Sequence, residues 1–457
     1  MELVKKVPQT LVLALALALL GFGAAGPARA AATFKVLKSM CATVDGTGTC
    51  TDGKTPSGTL VTDSLHNIYG TTQEGGAHDG GVVFQLLFNS TTQAYRYRKL
   101  YDFCTLTNCS DGAAPVNAKL VIDANGVLYG TTSAGGGSNN GVVFTLTPNE
   151  NKTHYHFDKL YEFCVEFSAC QDGAKPTGNL TFAGDATGAT YDGKAALYGS
   201  TMLGGRDNNA GLVFSLTPST TGGAPNVKQL YKFCRFVVTQ THVCTDGEYP
   251  GGNLVVDKSG NIWGTASAGG NATNSGVMFE LVPPQSGQWP ETVAYSFCGA
   301  ANCADGATPT TGLAVDSNGN FYGTTSTGGL AFRKCPSTGC GVLFKVSASG
   351  STETTLYSFC KLDKCADGGA PAGVVLDPNG NIYGATAIGG VHHNGDFYKL
   401  AGTTLTDMYD VKCVNGTCSN GIGPSGALLL NANDDLFGNL LDGGHNGEGG
   451  TLFKLSP

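Results

Sequence analysis

The sequence lacks most of the short patterns that announce an enzyme or a nucleic-acid binder. Its 16 cysteines include no C-x-x-C pair, so zinc–thiolate sites are not expected. No G-x-S-x-G elbow occurs. No segment sustains a helical period, which argues against helical layers. Apart from residues 11–20, no run is apolar enough to suggest a membrane span. Basic residues are scarce: 27 Lys and Arg against 35 Asp and Glu, a formal net charge of −8. That balance argues against a phosphate-backbone partner, which needs a basic face, and against adhesion to anionic lipid. No cofactor motif is present, and no cofactor is expected.

What is there starts with a leader. Lys5 and Lys6 precede the Leu/Ala/Val run at 11–20, and Ala28-Arg29-Ala30 follows. This is the layout of a secretory signal over 1–30, cleaved after Ala30. The expected product is secreted or periplasmic, a single domain over 31–457, with no membrane span after cleavage.

Seven glycines follow an aromatic residue: Gly70, Gly130, Gly199, Gly264, Gly323, Gly384 and Gly438. They lie 54 to 69 residues apart, and each is followed five residues later by a Gly-Gly pair. Then come a glycine, two mostly apolar residues and an aromatic, as in Gly141-Val142-Val143-Phe144. A segment like Leu100-Tyr101-Asp102-Phe103 follows and ends in cysteine. A second cysteine closes a short loop, usually just before Asp-Gly.

Each unit holds four short apolar runs between Gly, Asn and Asp turns. In the second they are 119–123, 127–132, 142–146 and 156–163, and Asp123-Ala124-Asn125-Gly126 reads as a hairpin turn. Four antiparallel strands per unit, repeated seven times, predict an all-β, seven-bladed β-propeller. The expected blades are 53–104, 112–164, 173–234, 247–298, 306–360, 368–413, and 421–457 joined by 33–41. The chain begins with a fourth-strand segment and ends with a third-strand one, so residues 34–40 are expected beside 451–455, closing the ring and covering its edges.

In an exported chain the cysteines read as disulfides. The expected pairs are Cys41 with Cys50, Cys104 with Cys109, Cys164 with Cys170, Cys234 with Cys244, Cys298 with Cys303, Cys360 with Cys365, and Cys413 with Cys418. Cys335 and Cys340 form an eighth expected pair, in an insertion of the fifth unit. Such small loops contribute about 2 kcal/mol each. The aromatics before glycine are expected to wedge between blades. The Asp-Gly aspartates, Asp52, Asp111, Asp172, Asp246, Asp305 and Asp367, are expected to cap turns rather than bind calcium.

The run Tyr129-Gly130-Thr131-Thr132, Gly135-Gly136 and Gly141-Val142-Val143-Phe144 resembles the GloVer tandem repeat of exported bacterial "choice-of-anchor" proteins. The likeness recurs seven times across the chain. It implies a tandem-repeat, propeller-like fold and carries no activity with it. Two departures stand out: a cysteine pair in every repeat, and an end at Leu455-Ser456-Pro457 without an anchor segment, which favours a released protein.

A repeat protein marks its site by breaking its own repetition. Before the Gly-Gly pairs stand Glu74, Ala134, Leu203, Ala268, Thr327, Ile388 and Asp442, so only the first and last are acidic. Ring closure makes those blades neighbours. The same loops add His78 and Asp79 in blade 1, His392 and His393 in blade 6, and His445 and Glu448 in blade 7. Glu74, Asp442, His78, His392 and His445 are the candidate catalytic set for acid–base work, or ligands for a divalent metal. Asp79, His393, Glu448, Arg206 and Arg333 are candidate binding residues. The favoured reading is a monomeric binding module for a glycan or protein partner. The alternative is an extracellular polysaccharide lyase or hydrolase using the carboxylate/histidine cluster.

Overall fold

The computed structural model describes residues 32–165, 170–205, 208–238, 243–329, 339–350, 352–414, 417–444 and 447–457. The expected signal at 1–30 lies outside them. The described chain is all-β: seven blade sheets of antiparallel strands in a ring, a short hairpin of Val237–Val238 with Val243–Cys244 besides, and only single 3-10 turns as helix. Among the described residues no helix is long and apolar enough to cross a membrane.

Blade 1 shows the plan, with strands Lys54–Thr62, Ile68–Glu74, Val82–Asn89 and Ala94–Asp102 paired in chain order. Blade 6 repeats it with Gly369–Leu376, Ile382–Ile388, Asp396–Ala401 and Thr404–Asp410. In the last sheet, Ile422–Leu430, Leu436–Asp442 and Thr451–Ser456 are joined by Thr33–Ser39 as the outer strand. Val36 stands opposite Phe453, and Phe34 opposite Leu455.

The core lies between blades rather than within them. Tyr69, Val83 and Phe103 of blade 1 pack on Leu120, Leu128 and Phe144 of blade 2. Phe437 and Leu452 of blade 7 pack on Leu60, Ile68 and Phe84 of blade 1. The aromatics before glycine sit in these seams, and Tyr69, Trp263 and Tyr322 also donate to the hairpin aspartates Asp63, Asp257 and Asp316 at 2.9–3.0 Å. The glycine beside each aromatic has no side chain because the next strand's ring fills the space: a Cβ on Gly130 would lie 2.6 Å from Phe144.

A second seam device was not read from the sequence. Thr55, Ala114, Lys175, Tyr249, Thr308, Ala370 and Gly423 each precede a proline and take φ between +48° and +68°. Each N–H donates to a carbonyl of the preceding blade at 2.8–3.4 Å, including Thr55 to Gly449 between blades 1 and 7. A residue before proline is kept out of the right-handed helical region. For a non-glycine residue the left-handed alternative costs about 1 kcal/mol, and the inter-blade hydrogen bond offsets that cost.

Seven of the expected disulfides are present. Cys41 is bonded to Cys50, Cys104 to Cys109, Cys164 to Cys170, and Cys234 to Cys244. Cys298 is bonded to Cys303, Cys360 to Cys365, and Cys413 to Cys418. Cys170 and Cys303, the second cysteines of their loops, sit at φ +46° and +52°, a backbone setting that the spacing alone did not announce. Cys340 is also disulfide-bonded, and Cys335 lies outside the described residues. In six of the seven units an aspartate follows the loop, and it is buried there. Asp246 accepts from the Tyr231 hydroxyl at 2.8 Å and from the N–H groups of Arg235 and Phe236 at 2.8 and 3.3 Å. Asp111, Asp305 and Asp367 likewise accept from a tyrosine hydroxyl and from N–H groups of the loop.

Two glutamates beside these caps set a pH dependence. Burial first, then Asp246, pushes Glu291 up to about 8; burial first, with Asp305 adding to it, pushes Glu353 up to about 7. Both start from an ordinary value of 4.5, so the folded chain holds these protons more tightly than the unfolded one. Their contribution is fully present below about pH 4.5 and is lost as pH rises through about 7 to 8. Glu291→Gln with Glu353→Gln is therefore expected to be indistinguishable from wild type at about pH 4.5 and more stable at about pH 8.5, in urea melts at both pH values. Equal slopes of stability against pH would refute this.

Candidate functional site

The loops between second and third strands share a face with the cysteine loops. On that face a depression of about 640 Å³ opens where blades 6, 7 and 1 meet, lined by Lys54, Glu74, His393, Asn394, Asp442 and Glu448 among others.

Local pairing positions each side chain. Glu74 ends its strand opposite Lys54, and Lys54 Nζ lies 3.5 Å from Glu74 Oε2. Asp442 ends the equivalent strand of blade 7 opposite Ile422, and its carboxylate accepts the Gly443 N–H at 2.7 Å. Glu448 lies on the return of the same loop, bridged to Gly443. Glu74, Asp442, Glu448 and His393 are all exposed. The site therefore offers three carboxylates, an imidazole and one ammonium to solvent.

Other candidates are placed elsewhere. His392 is adjacent to His393 in sequence, but its Nδ1 meets the buried Asp410 carboxylate of its own blade. His78 is exposed in the blade 1 loop and is not part of the lining. Asp79 has a turn-forming role: at φ +56° its carboxylate accepts the Gly75 N–H at 2.8 Å. Asn139, Asn209 and Asn274 do the same for Gly135, Gly204 and Gly269 at 2.6–2.9 Å. His393 takes this left-handed position in blade 6, at φ +62°, and presents its ring to the depression. Arg206, Arg333 and His445 lie outside the described residues.

Sequence reasoning missed Lys54. The residue after the first-strand glycine is Lys54, Ala113, Ala174, Glu248, Ala307, Gly369 or Ile422 across the seven units. Lys54 is the one base among them, so the rule that found Glu74 and Asp442 would have found it too.

No curated protein matches the sequence. Among solved structures, the extracellular domain of a one-component system from B. thetaiotaomicron is 11% identical over 92% of this chain, with a TM-score of 0.49. A Trypanosoma rangeli sialidase is 11% identical over 81%, with a TM-score of 0.39. A gluconolactonase from Xanthomonas campestris is 9% identical over 93% of this chain and 89% of its own, with a TM-score of 0.38. This chain spans 40% of the first of these and 57% of the second. The model of the Gloeobacter/Verrucomicrobia repeat matches residues 29–196 and 290–457. With most of its length covered by that repeat, the chain belongs to the Gloeobacter/Verrucomicrobia repeat family.

Proposed function

We propose that this chain is an exported, disulfide-stapled binding module that holds a glycan in the depression between blades 6, 7 and 1. The observation that carries this reading is the convergence of Glu74, Asp442, Glu448, His393 and Lys54 on one cavity. A sugar presents hydroxyls that donate to carboxylates and accept from an ammonium or imidazole, so this donor and acceptor set suits it. The ring of paired strands keeps the groups in place without ligand, which reduces the ordering cost of binding. Export follows from the leader at 1–30, and the disulfides suit an oxidising compartment.

Glycan-array screening of the protein after removal of 1–30 is the test, followed by affinity measurement on the best hit. Hydrogen bonds to charged groups are worth about 1.5–3 kcal/mol. Glu74→Ala and Asp442→Ala are each expected to weaken binding by about tenfold or more. Binding unchanged in both variants would remove the site from the reading. A second reading, cleavage of an extracellular polysaccharide, rests on Glu74 and Asp442 sharing the cavity. Release of reducing ends or unsaturated sugars that disappears in Glu74→Ala would favour it.

A further inference from the structure

The third unit departs from its repeat on the face opposite the depression, where first and second strands are joined. In the other six blades this hairpin holds five residues, as at 63–67 and 257–261. In blade 3 the connection runs from 183 to 196, between Thr181–Phe182 and Leu197–Leu203. The added chain reaches blade 2. Its Tyr191 is buried and packs on Phe182 and Tyr129, with ring centroids 5.0 and 5.3 Å apart. The Tyr191 carbonyl accepts from the Ala124 N–H of blade 2 at 3.3 Å.

A second exception meets this one. At the position of Lys119 the other units carry Thr59, Asn179, Asn253, Gly312, Gly373 and Ala427, so Lys119 is the one charged residue of the set. A cavity of about 240 Å³, lined by residues of all seven blades, lies at the centre of the ring. A second of about 590 Å³ lies toward the hairpin face, walled in part by Val61, Val121, Val375 and Leu429. Lys119 and Asp185, the latter from the insertion, line both. Asp185 accepts from Lys119 Nζ at 2.7 and 2.9 Å and from the Thr181 hydroxyl at 3.0 Å. Charge-assisted bonds of this kind are the strong ones. A half-buried ammonium and a hydroxyl, set beside aliphatic side chains, thus already form a receptor for a carboxylate. The acids at the rim, Asp63 and Asp123, accept from N–H groups of their own hairpins. The carboxylate that fills the receptor sits on a short turn, Asp185–Thr187, flanked by Gly184 at φ +100° and Gly188 at φ +76°. Ala186, Thr187 and Gly188 are exposed. Glycines absorb a change of backbone angle readily, so the turn can swing outward while Tyr191 keeps the rest of the insertion in place.

We propose that the centre of the ring on this face is a second ligand site, taking a monocarboxylate with an apolar body, and that Asp185 holds the carboxylate's place in the ligand-free chain. The ligand carboxylate accepts from Lys119 and Thr181. Its apolar body leaves water for the wall of Val61, Val121, Val375 and Leu429, which is favourable. Asp185 moves to solvent, where its charge is hydrated. One carboxylate replaces another on Lys119, so the apolar contact decides the exchange. The site lies away from the depression and does not rest on the glycan reading.

The test titrates protein lacking 1–30 with sodium decanoate, below its micelle-forming concentration, by calorimetry. Thermal melts first confirm that each variant is folded. Wild type is expected to bind decanoate saturably. Asp185→Ala is expected to raise the affinity about tenfold, the gain when a receptor blocked in about nine molecules of ten is freed. Asp185→Asn, which keeps the size of the side chain, is expected to change affinity in the same direction. Lys119→Met is expected to lose binding, alone and combined with Asp185→Ala. Decanol, which has the tail without the charge, is expected to gain nothing from Asp185→Ala. No decanoate binding in wild type would overturn the proposal, as would an affinity unchanged in both Asp185 variants or binding kept in Lys119→Met. An equal gain for decanol would also overturn it, because the freed space rather than the freed ammonium would then be what binds.

Discussion

Gly141→Ala is expected to lower stability by about 3 kcal/mol or more, a large loss for one added methyl group. Gly141 sits at φ +92°, where an alanine is strained by about 1–2 kcal/mol. The new Cβ would lie 2.1 Å from the Thr132 carbonyl and 2.8 Å from Cδ of Pro176 in the next blade. The first neighbour is backbone and the second a ring, so neither can yield like a flexible side chain, and overpacking adds about 1–3 kcal/mol. The Gly141 carbonyl also receives the Phe163 N–H at 3.1 Å, so a backbone shift would break the outer strand's last rung. The same glycine-to-proline contact recurs in every seam, including Gly450 of blade 7 against Pro56 of blade 1. Gly46→Ala is the control: nothing lies within 4 Å of its added Cβ, and a change within about 0.5 kcal/mol is expected. Urea denaturation of the two variants decides the matter, and equal midpoints would refute the seam argument.

Asp111→Ala should cost a similar amount for a different reason. Asp111 is fully buried and accepts from the Tyr101 hydroxyl at 2.8 Å, the Thr105 N–H at 3.0 Å, the Thr105 hydroxyl at 2.8 Å and the Leu106 N–H at 3.2 Å. Alanine would leave those donors without an acceptor, at about 1–3 kcal/mol for each that stays buried. A total of about 3 kcal/mol follows, with the Cys104–Cys109 loop loosened. Asp111→Asn should lose less. Blade 7 carries Asn420 at this position, and its amide donates to the Tyr409 hydroxyl at 3.0 Å, reversing the direction of the bond. The expected order of melting temperatures is wild type, Asp111→Asn, Asp111→Ala. Equal melting of the two variants would show that the carboxylate's acceptors are not what holds the loop.

Much of this architecture was legible in the residues because its determinants are local and periodic. Aromatic-glycine, Gly-Gly and Gly-Val-Val-Phe recur at a steady spacing. A pair such as Cys164 and Cys170, or Cys298 and Cys303, six or five residues apart, can scarcely bond otherwise once the loop is folded. The glycines at Gly130 and Gly141 announced tight places, but not against what. The pre-proline residues from Thr55 to Gly423 were illegible as a device. Six of the seven are not glycine, and nothing in their side chains signals a positive φ; a hydrogen bond to the previous blade selects it.

The site shows the same division. Unequal residues at equal repeat positions marked Glu74 and Asp442, and their strand-end placement follows from register. The adjacent histidines were given different roles from sequence, His392 in the catalytic set and His393 in the binding set; His392 turns to Asp410 of its own blade while His393 lines the depression. The left-handed backbone at His393 itself separates the directions in which the two side chains project.

The sequence by itself determined the repeat, the strand order within a blade and seven of the cysteine pairs, since each depends on contacts between segments close in the chain. Only the tertiary structure decided which side chains meet: Lys54 with Glu74, His393 with Asp442 in one depression, and His392 with Asp410. Those meetings depend on cross-strand register and on the curvature that brings the two ends of the chain together, and neither is written at any single position.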